Sequence, residues 1–301
     1  MKRISILFVF ILAFSGVRAQ QDPMFSQYQL NPYLINPAYG GTEKYMPLRI
    51  NARQQWIGID GAPSTQCLSF NTPIGREGKI GTGAIIYNDS YGPMTKTGIE
   101  GTFSYKLKVS DTYMLSLGLS VSASQLVLDE SDLVIIDQND AAITGASESY
   151  LIPDAGFGAW FYSKQSYFGF SAMRLFQFPL SLDIEAVDKQ IPHFYILAGH
   201  TFELNENLDL EPSVLIKKMN PTPVQADINL RLHINKMYWA GLSFRTNDAA
   251  MVMAGIKYQN FLLGYAYDYT VSSLQSHNSG THELMLGYNF KINPKTSVPV
   301  F

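Results

Sequence analysis

Between Pro223 and Asn235 the chain alternates without a break, with Val224, Ala226, Ile228, Leu230, Leu232 and Ile234 on one side and Gln225, Asp227, Asn229, Arg231 and His233 on the other. A period of two describes a strand with oil against one face and polar groups or water against the other. The same rhythm sets Tyr113, Leu115, Leu117, Leu119 and Val121 against Ser116, Gly118, Ser120, Ser122 and Ser124, and it returns at Phe261, Leu263, Tyr265, Tyr267 and Tyr269. Strands are predicted at 47–56, 64–72, 79–88, 95–107, 112–124, 154–163, 165–174, 193–203, 207–218, 223–234, 236–246, 249–258, 260–270 and 281–292. Each runs to roughly ten residues, enough for a tilted strand to cross the hydrocarbon layer, and their number is even, as a closed barrel with both ends on one side requires. The pattern therefore predicts an all-β protein. It is a transmembrane antiparallel up-and-down β-barrel of about fourteen strands over 45–292, with a short pre-barrel segment at 20–44 and a tail at 293–301.

Connection lengths follow strand parity. The even-to-odd turns are short, namely Pro73 to Gly78, Lys108 to Asp111, Lys164, Leu204 to Glu206, Asn235-Lys236 and Gln259-Asn260. Long connections, Gln125 to Pro153, Leu175 to Pro192 and Val271 to Gly280, fall between odd and even strands, although those near Met219 and Asn247 are also short. Outer-membrane barrels keep their short turns in the periplasm. This places Asn235-Lys236 in the periplasm and the Gln125 to Pro153 loop, with Ala146, outside the cell. On the tenth strand Leu230 is expected to face lipid and Arg231 the lumen, so that Arg at position 230 would cost far more than Gln at position 231. The last strand alternates Leu284, Leu286, Tyr288, Phe290 and Ile292 with Met285, Gly287, Asn289 and Lys291, and so resembles the terminal strand that barrel-assembly machinery recognises.

The first nineteen residues read as a secretion signal, which accounts for how such a barrel reaches the outer membrane. Lys2 and Arg3 precede an apolar run from Ile4 to Phe14, and Val17-Arg18-Ala19 offers small residues for cleavage. From Gln20 onward no apolar run is long enough for a membrane helix, so strands must carry the crossing. Loss of Lys2, Arg3 and Arg18 with the signal leaves 19 basic against 25 acidic residues, a balance that disfavours nucleic acid. The 18 Tyr, 18 Phe and 23 Gly suit aromatic girdles and closely packed strands. The single Cys67 lies within a strand-like run and reads as a passive wall residue.

Reactive chemistry is sparse. Asp129, Glu130, Asp132, Asp137 and Asp140 cluster, yet they lack the spacing of a calcium loop and read as solvated charge. His277 and His282 have no carboxylate or Cys beside them at ligand spacing. No nucleophile elbow, zinc-protease motif or phosphate loop occurs, and no cofactor is expected. Glu100, Lys106, Asp209, Glu211, Lys217, Asp227, Arg231 and Asp268 fall on the inward phase, which suits either an open pore or a plugged lumen.

Ahead of the barrel stands Gln21-Asp22-Pro23-Met24-Phe25-Ser26-Gln27-Tyr28, followed by Asn31-Pro32 and then Asn36-Pro37-Ala38-Tyr39-Gly40-Gly41. The Asn-Pro steps break helices and favour turns, while Phe25, Tyr28, Tyr33 and Tyr39 are large contact groups on a stiffened backbone. Such a segment docks, either onto a partner or onto the barrel as a plug or edge cover. Closure of the sheet does not require it. With the following Arg53-Gln54-Gln55-Trp56, the segment resembles the PorP/SprF family of outer-membrane proteins of type IX secretion and gliding systems, with Gly40 where many members carry Ala. The resemblance implies a non-enzymatic barrel that anchors a secreted surface adhesin through its C-terminal domain, or assists its export. It also implies contacts with outer-membrane lipid and with periplasmic components, among them a peptidoglycan-binding partner. A diffusion porin and a barrel hydrolase are the alternatives.

Overall fold

The computed structural model describes residues 24–75, 77–129, 147–176, 179–180 and 188–292. Expectations for the leader, for Asp22 and Pro23, for the acidic residues after Asp129, for Ala146 and for the tail fall outside the described residues.

Fourteen strands form the wall: β1 (Tyr45–Gln54), β2 (Ser64–Ile74), β3 (Ile80–Tyr91), β4 (Met94–Lys108), β5 (Met114–Asp129), β6 (Ser147–Tyr162) and β7 (Ser166–Met173), then β8 (His193–His200, continued as Phe202–Asn205), β9 (Leu208–Lys218), β10 (Gln225–Ile234), β11 (Tyr238–Arg245), β12 (Ala249–Tyr258), β13 (Phe261–Thr270) and β14 (Thr281–Lys291). Each pairs antiparallel with its neighbours in sequence, and β14 returns to β1 in register from Tyr45 opposite Lys291 to Gln54 opposite His282. The sheet is thereby closed and leaves no row of unpaired backbone groups against lipid.

The period-two pattern sets the two faces as the sequence predicts. Ile228, Leu230, Leu242 and Val252 point out of the barrel and are exposed, whereas Asp227, Asn229 and Arg231 are buried within it. Lipid takes the place that a protein core would otherwise fill against those apolar side chains.

Two hairpins differ from expectation. β5 and β6 stay paired beyond the apolar stretch, from Leu126 opposite Tyr150 to Asp129 opposite Ser147, so that residues 125–129 and 147–153 are strand rather than loop. Here the outer face turns polar, with Gln125 and Ser149 exposed, while Leu126 and Ile152 are buried on the inner face, so backbone pairing continues as the apolar-out alternation of the membrane-crossing stretch is lost. At the other hairpin β3 runs to Tyr91 and β4 starts at Met94, which leaves only Gly92-Pro93 as the turn. This adds a third short connection to the end that carries the long ones. That end is called the long-loop end below, and the other the short-turn end.

Candidate functional site: the lumen plug

Residues 24–41 lie inside the barrel. They form three single-turn 3₁₀ segments, Tyr28–Leu30, Pro32–Leu34 and Pro37–Tyr39. The Asn-Pro steps account for this form. Pro starts each of the last two turns, where a missing N–H is not needed, and it holds the preceding Asn31 and Asn36 at φ −146° and −147°, outside the helical region. The Asn36 side chain then accepts a hydrogen bond from the Ala38 N–H at 2.9 Å and caps the third turn.

The segment crosses the lumen along its length, as its bonding partners show. Near the long-loop end, the N–H groups of Ser26 and Gln27 donate to the Glu283 carboxylate at 2.6 and 3.0 Å, and the Ser26 hydroxyl donates to Asp268 at 2.6 Å. Arg53 ties this corner together, with Nη2 on Asp268 at 2.7 Å and Nη1 on Ser26 Oγ and Glu283 at 2.7 and 3.1 Å. At mid-height Asn229 donates to the Tyr28 hydroxyl at 2.8 Å, Asn31 donates to Ser69 Oγ at 2.8 Å, and the Tyr33 and Thr102 hydroxyls meet at 2.6 Å. Asn36 Nδ2 reaches the carbonyls of Ala159 and Phe170, each at 3.1 Å, and Ser171 donates to Ile35 O at 2.5 Å. Near the short-turn end Ser104 donates to Gly40 O at 2.7 Å, Lys106 bonds Gly41 O, and the Gly41 N–H donates to Asn71 at 2.9 Å.

These bonds reach eight of the fourteen strands, and they satisfy polar groups whose burial would otherwise be costly. Apolar packing accompanies them. Tyr28, Ile35 and Ala38 pack with Trp160, Leu197 and Leu215, and Phe25 and Tyr33 pack with Cys67 and Ile85. Tyr39 meets Trp160 edge-on at 5.3 Å between ring centres, and its hydroxyl donates to Glu43 at 2.5 Å. Two wall glycines make the seat. A Cβ on Gly118 would lie 2.4 Å from the Ala38 nitrogen, and one on Gly158 would lie 2.1 Å from Asn36 Oδ1.

Of the residues singled out in the sequence, Phe25, Ser26, Gln27, Tyr28, Asn31, Asn36, Pro37, Ala38 and Gly41 are buried against the wall, and Tyr39 is half-buried. In the structure these residues rest against the wall of the barrel lumen. Their partners Glu283, Thr102, Ser104, Asn71 and Ser171 were not singled out. Each sits on the inward phase of its strand as a polar residue, and that is the only mark the sequence gives it. Asp268 and Lys106 were placed inward, and Cys67 is buried at the plug contact.

Two spaces flank the plug among the described residues. The one toward the long-loop end, about 110 Å³, is lined by Phe25, Leu34, Ile35, Ile85 and Tyr195 together with Asp154 and His193. The one toward the short-turn end is larger, about 560 Å³, and is of mixed lining, with Arg49, Glu211, Arg231 and His233 on its wall beside Leu30, Trp239 and Leu262. Among the described residues no three His, Cys, Asp or Glu side chains gather as a metal site. His282 bonds the Tyr265 hydroxyl at 2.5 Å, and His277 bonds its neighbour Ser276 at 2.9 Å. Ser166 Oγ lies 2.7 Å from His200 Nδ1, a contact between paired strands.

Solved structures that share this architecture are outer-membrane barrels. The chain superimposes on the Ralstonia pickettii toluene transporter TbuX with a TM-score of 0.52 at 9% identity, covering 86% of this chain and 93% of that one. The monoaromatic hydrocarbon channel CymD gives 0.51 at 10% identity over 92% and 95%, and the Pseudomonas putida toluene transporter TodX gives 0.51 at 8% over 90% and 95%. At such identities the likeness is one of fold. No curated protein sequence matches the chain.

A closed fourteen-stranded barrel with a lipid-facing apolar girdle and its own N-terminal segment in the lumen is an outer-membrane barrel of the plugged class. Residues 17–288 match the family described as type IX secretion system membrane protein PorP/SprF, and the chain belongs to that family.

Proposed function

We propose that this barrel is a non-enzymatic station of the type IX secretion system that binds and anchors a secreted surface adhesin, or assists its export, while contacting periplasmic secretion or peptidoglycan-binding components from its short-turn end. Family membership supports the secretion role. The observation that carries the reading is the plug. A lumen crossed by a segment bonded to eight strands offers a scaffold with two separate end faces rather than a diffusion path, which argues against the porin alternative. The hydrolase alternative has little support. His200, the one ring in contact with Ser166, has no hydrogen-bonded carboxylate to orient it among the described residues.

Mild-detergent purification of the full chain from native membranes tests the proposal. The expected result is co-purification of an adhesin C-terminal domain and of periplasmic type IX components, with loss of adhesin display in a strain lacking the chain. Unchanged display in that strain would overturn the reading. Orientation is checked separately with impermeant thiol reagents in a Cys67→Ser background. Ser273→Cys should label on intact cells, and Lys236→Cys only after outer-membrane rupture.

A further inference from the structure

The chamber at the short-turn end carries a surplus of hydrogen-bond donors. Arg49 is 5% exposed, and it gives Nη1 to the carbonyls of Leu48 and Tyr288 at 3.0 and 3.5 Å, but no carboxylate of the described residues pairs with it and its Nε has no partner. A buried guanidinium without an acid is costly, and native proteins seldom leave one so. The same is true in part of Arg231, 6% exposed. Its Nη2 holds Glu211 at 2.6 Å while Nε and Nη1 remain unpartnered. Trp239 Nε1 and Gln29 Nε2, also buried on this chamber, lack acceptors as well. Of the three acids on the lining, Glu211 and Glu43 are engaged, and Asp209 is half-buried with no ion pair to either arginine among the described residues. Glu211 takes His233 and Tyr167 in addition to Arg231, at 3.1 and 3.0 Å, and Glu43 takes Tyr39. Exposed lysines Lys164, Lys236 and Lys257 stand at the mouth, so the lining holds five Lys and Arg against three Asp and Glu.

The arrangement of these donors selects among anions. Arg231 is on β10, Trp239 on β11, Lys257 on β12 and Arg49 on β1, so they are strung along six adjacent strands, β10 to β14 and then β1. Adjacent strands lie about 4.8 Å apart, so the row extends roughly 24 Å along the wall, the length of about seven extended residues. A single phosphate cannot satisfy both ends of such a row, whereas an extended polypeptide with spaced carboxylates can, and its amides can also meet the unpartnered Asn289 Oδ1. We propose that the chamber at the short-turn end binds an extended acidic peptide segment, with Arg49 and Arg231 as its carboxylate anchors. This deepens the reading of the barrel as a partner-binding station by giving the chemistry of one partner. It can fail while adhesin display still depends on the chain, and the two results are read separately.

The test uses the purified full-length barrel in detergent with a seven-residue peptide that alternates Glu and Ala, its Gln-for-Glu counterpart, and inorganic phosphate. The Glu peptide should bind saturably and perturb Trp emission, and the part of that signal owed to Trp239 should be lost in Trp239→Phe, Trp160 being the second tryptophan on the chamber, while calorimetric binding persists. Gln-for-Glu replacement in the peptide, or Arg49→Gln in the barrel, should weaken binding about tenfold or more, the usual worth of a charge-assisted hydrogen bond. Lys257→Gln, exposed at the mouth and harmless to the fold, should weaken it less and flatten its salt dependence. If Arg49→Gln fails to give a heat-modifiable barrel, the peptide comparison and Lys257→Gln decide the matter. Equal binding of the Glu and Gln peptides, or displacement of the Glu peptide by lower concentrations of phosphate, overturns the proposal.

Discussion

The two faces of β10 lie one residue apart and obey different rules. Leu230 looks into lipid, where only apolar groups are stable and any aliphatic side chain of similar size serves. Arg231 looks into the lumen, where its value depends on Glu211 across the strand pair at 2.6 Å, and Asn229, two residues earlier, depends on Tyr28 of a segment about two hundred residues away in the chain. The outer face is specified by polarity alone. The inner face is specified by particular partners, and that is where this barrel differs from an empty one.

The largest break in this contrast is to remove the plug. Deletion of 24–41 with residues 1–23 kept should leave a heat-modifiable barrel in the outer membrane, since the fourteen strands close without it, and water entering the lumen would solvate Arg53, Asp268 and Glu283. In planar bilayers the intact chain should be silent and the deletion should show stable ohmic steps. Loss of the truncated protein from the membrane would mean that the plug is needed for folding. On the outer face Leu230→Arg should destabilise the barrel by about 2–4 kcal/mol in urea titrations, because a charge at the bilayer midplane has no water.

Inner-face changes rank below that. Arg231→Gln leaves Glu211 with His233 and Tyr167, so it should cost about 1–3 kcal/mol. The sequence alone implies only that it costs far less than Arg at position 230, because it shows a lumen charge without showing its bond to Glu211. Gly158→Val pushes a side chain into Asn36, and the overpacking should cost about 1–3 kcal/mol, with intermittent conductance as the plug is displaced. The smallest effect is expected of Asn31→Ala, which removes one bond to Ser69 and should lower stability by about 1 kcal/mol without opening the lumen. An ohmic leak from Asn31→Ala comparable to that of the deletion would show that the plug hangs on a single contact rather than on its whole length.

The same contrast explains how much could be read in advance. A period of two is a property of ten neighbouring residues, so all fourteen strands and the outward phase of Leu117, Leu230 and Leu263 were legible. The turn chemistry of Asn31-Pro32 and Asn36-Pro37 was legible for the same reason. What those turns bind was not. Ser26 meets Glu283 across 257 positions of sequence, and nothing local to either residue marks the other. Gly118 and Gly158 read as ordinary small residues of a polar face until the plug backbone is seen resting on them. The far end of the β5–β6 hairpin is not legible because its polar Gln125 and Ser149 face outward and its apolar Leu126 and Ile152 inward, the reverse of the alternation that marks the membrane-crossing strands.

The corner formed by Arg53, Asp268, Glu283 and Ser26 has a bearing on the order of assembly. Arg53 is on the first strand, Asp268 and Glu283 are on the last two, and Ser26 belongs to the segment that precedes them all. The seam between first and last strands can join only once the whole chain has been delivered, so this corner is completed at the end of biogenesis and requires the plug to be inside by then. A barrel that zips shut around an absent N-terminus leaves two carboxylates facing one guanidinium, with the Ser26 and Gln27 amides missing from Glu283. The seam thus registers whether the chain has closed on its own beginning, and a correctly threaded molecule is more firmly sealed than a misthreaded one.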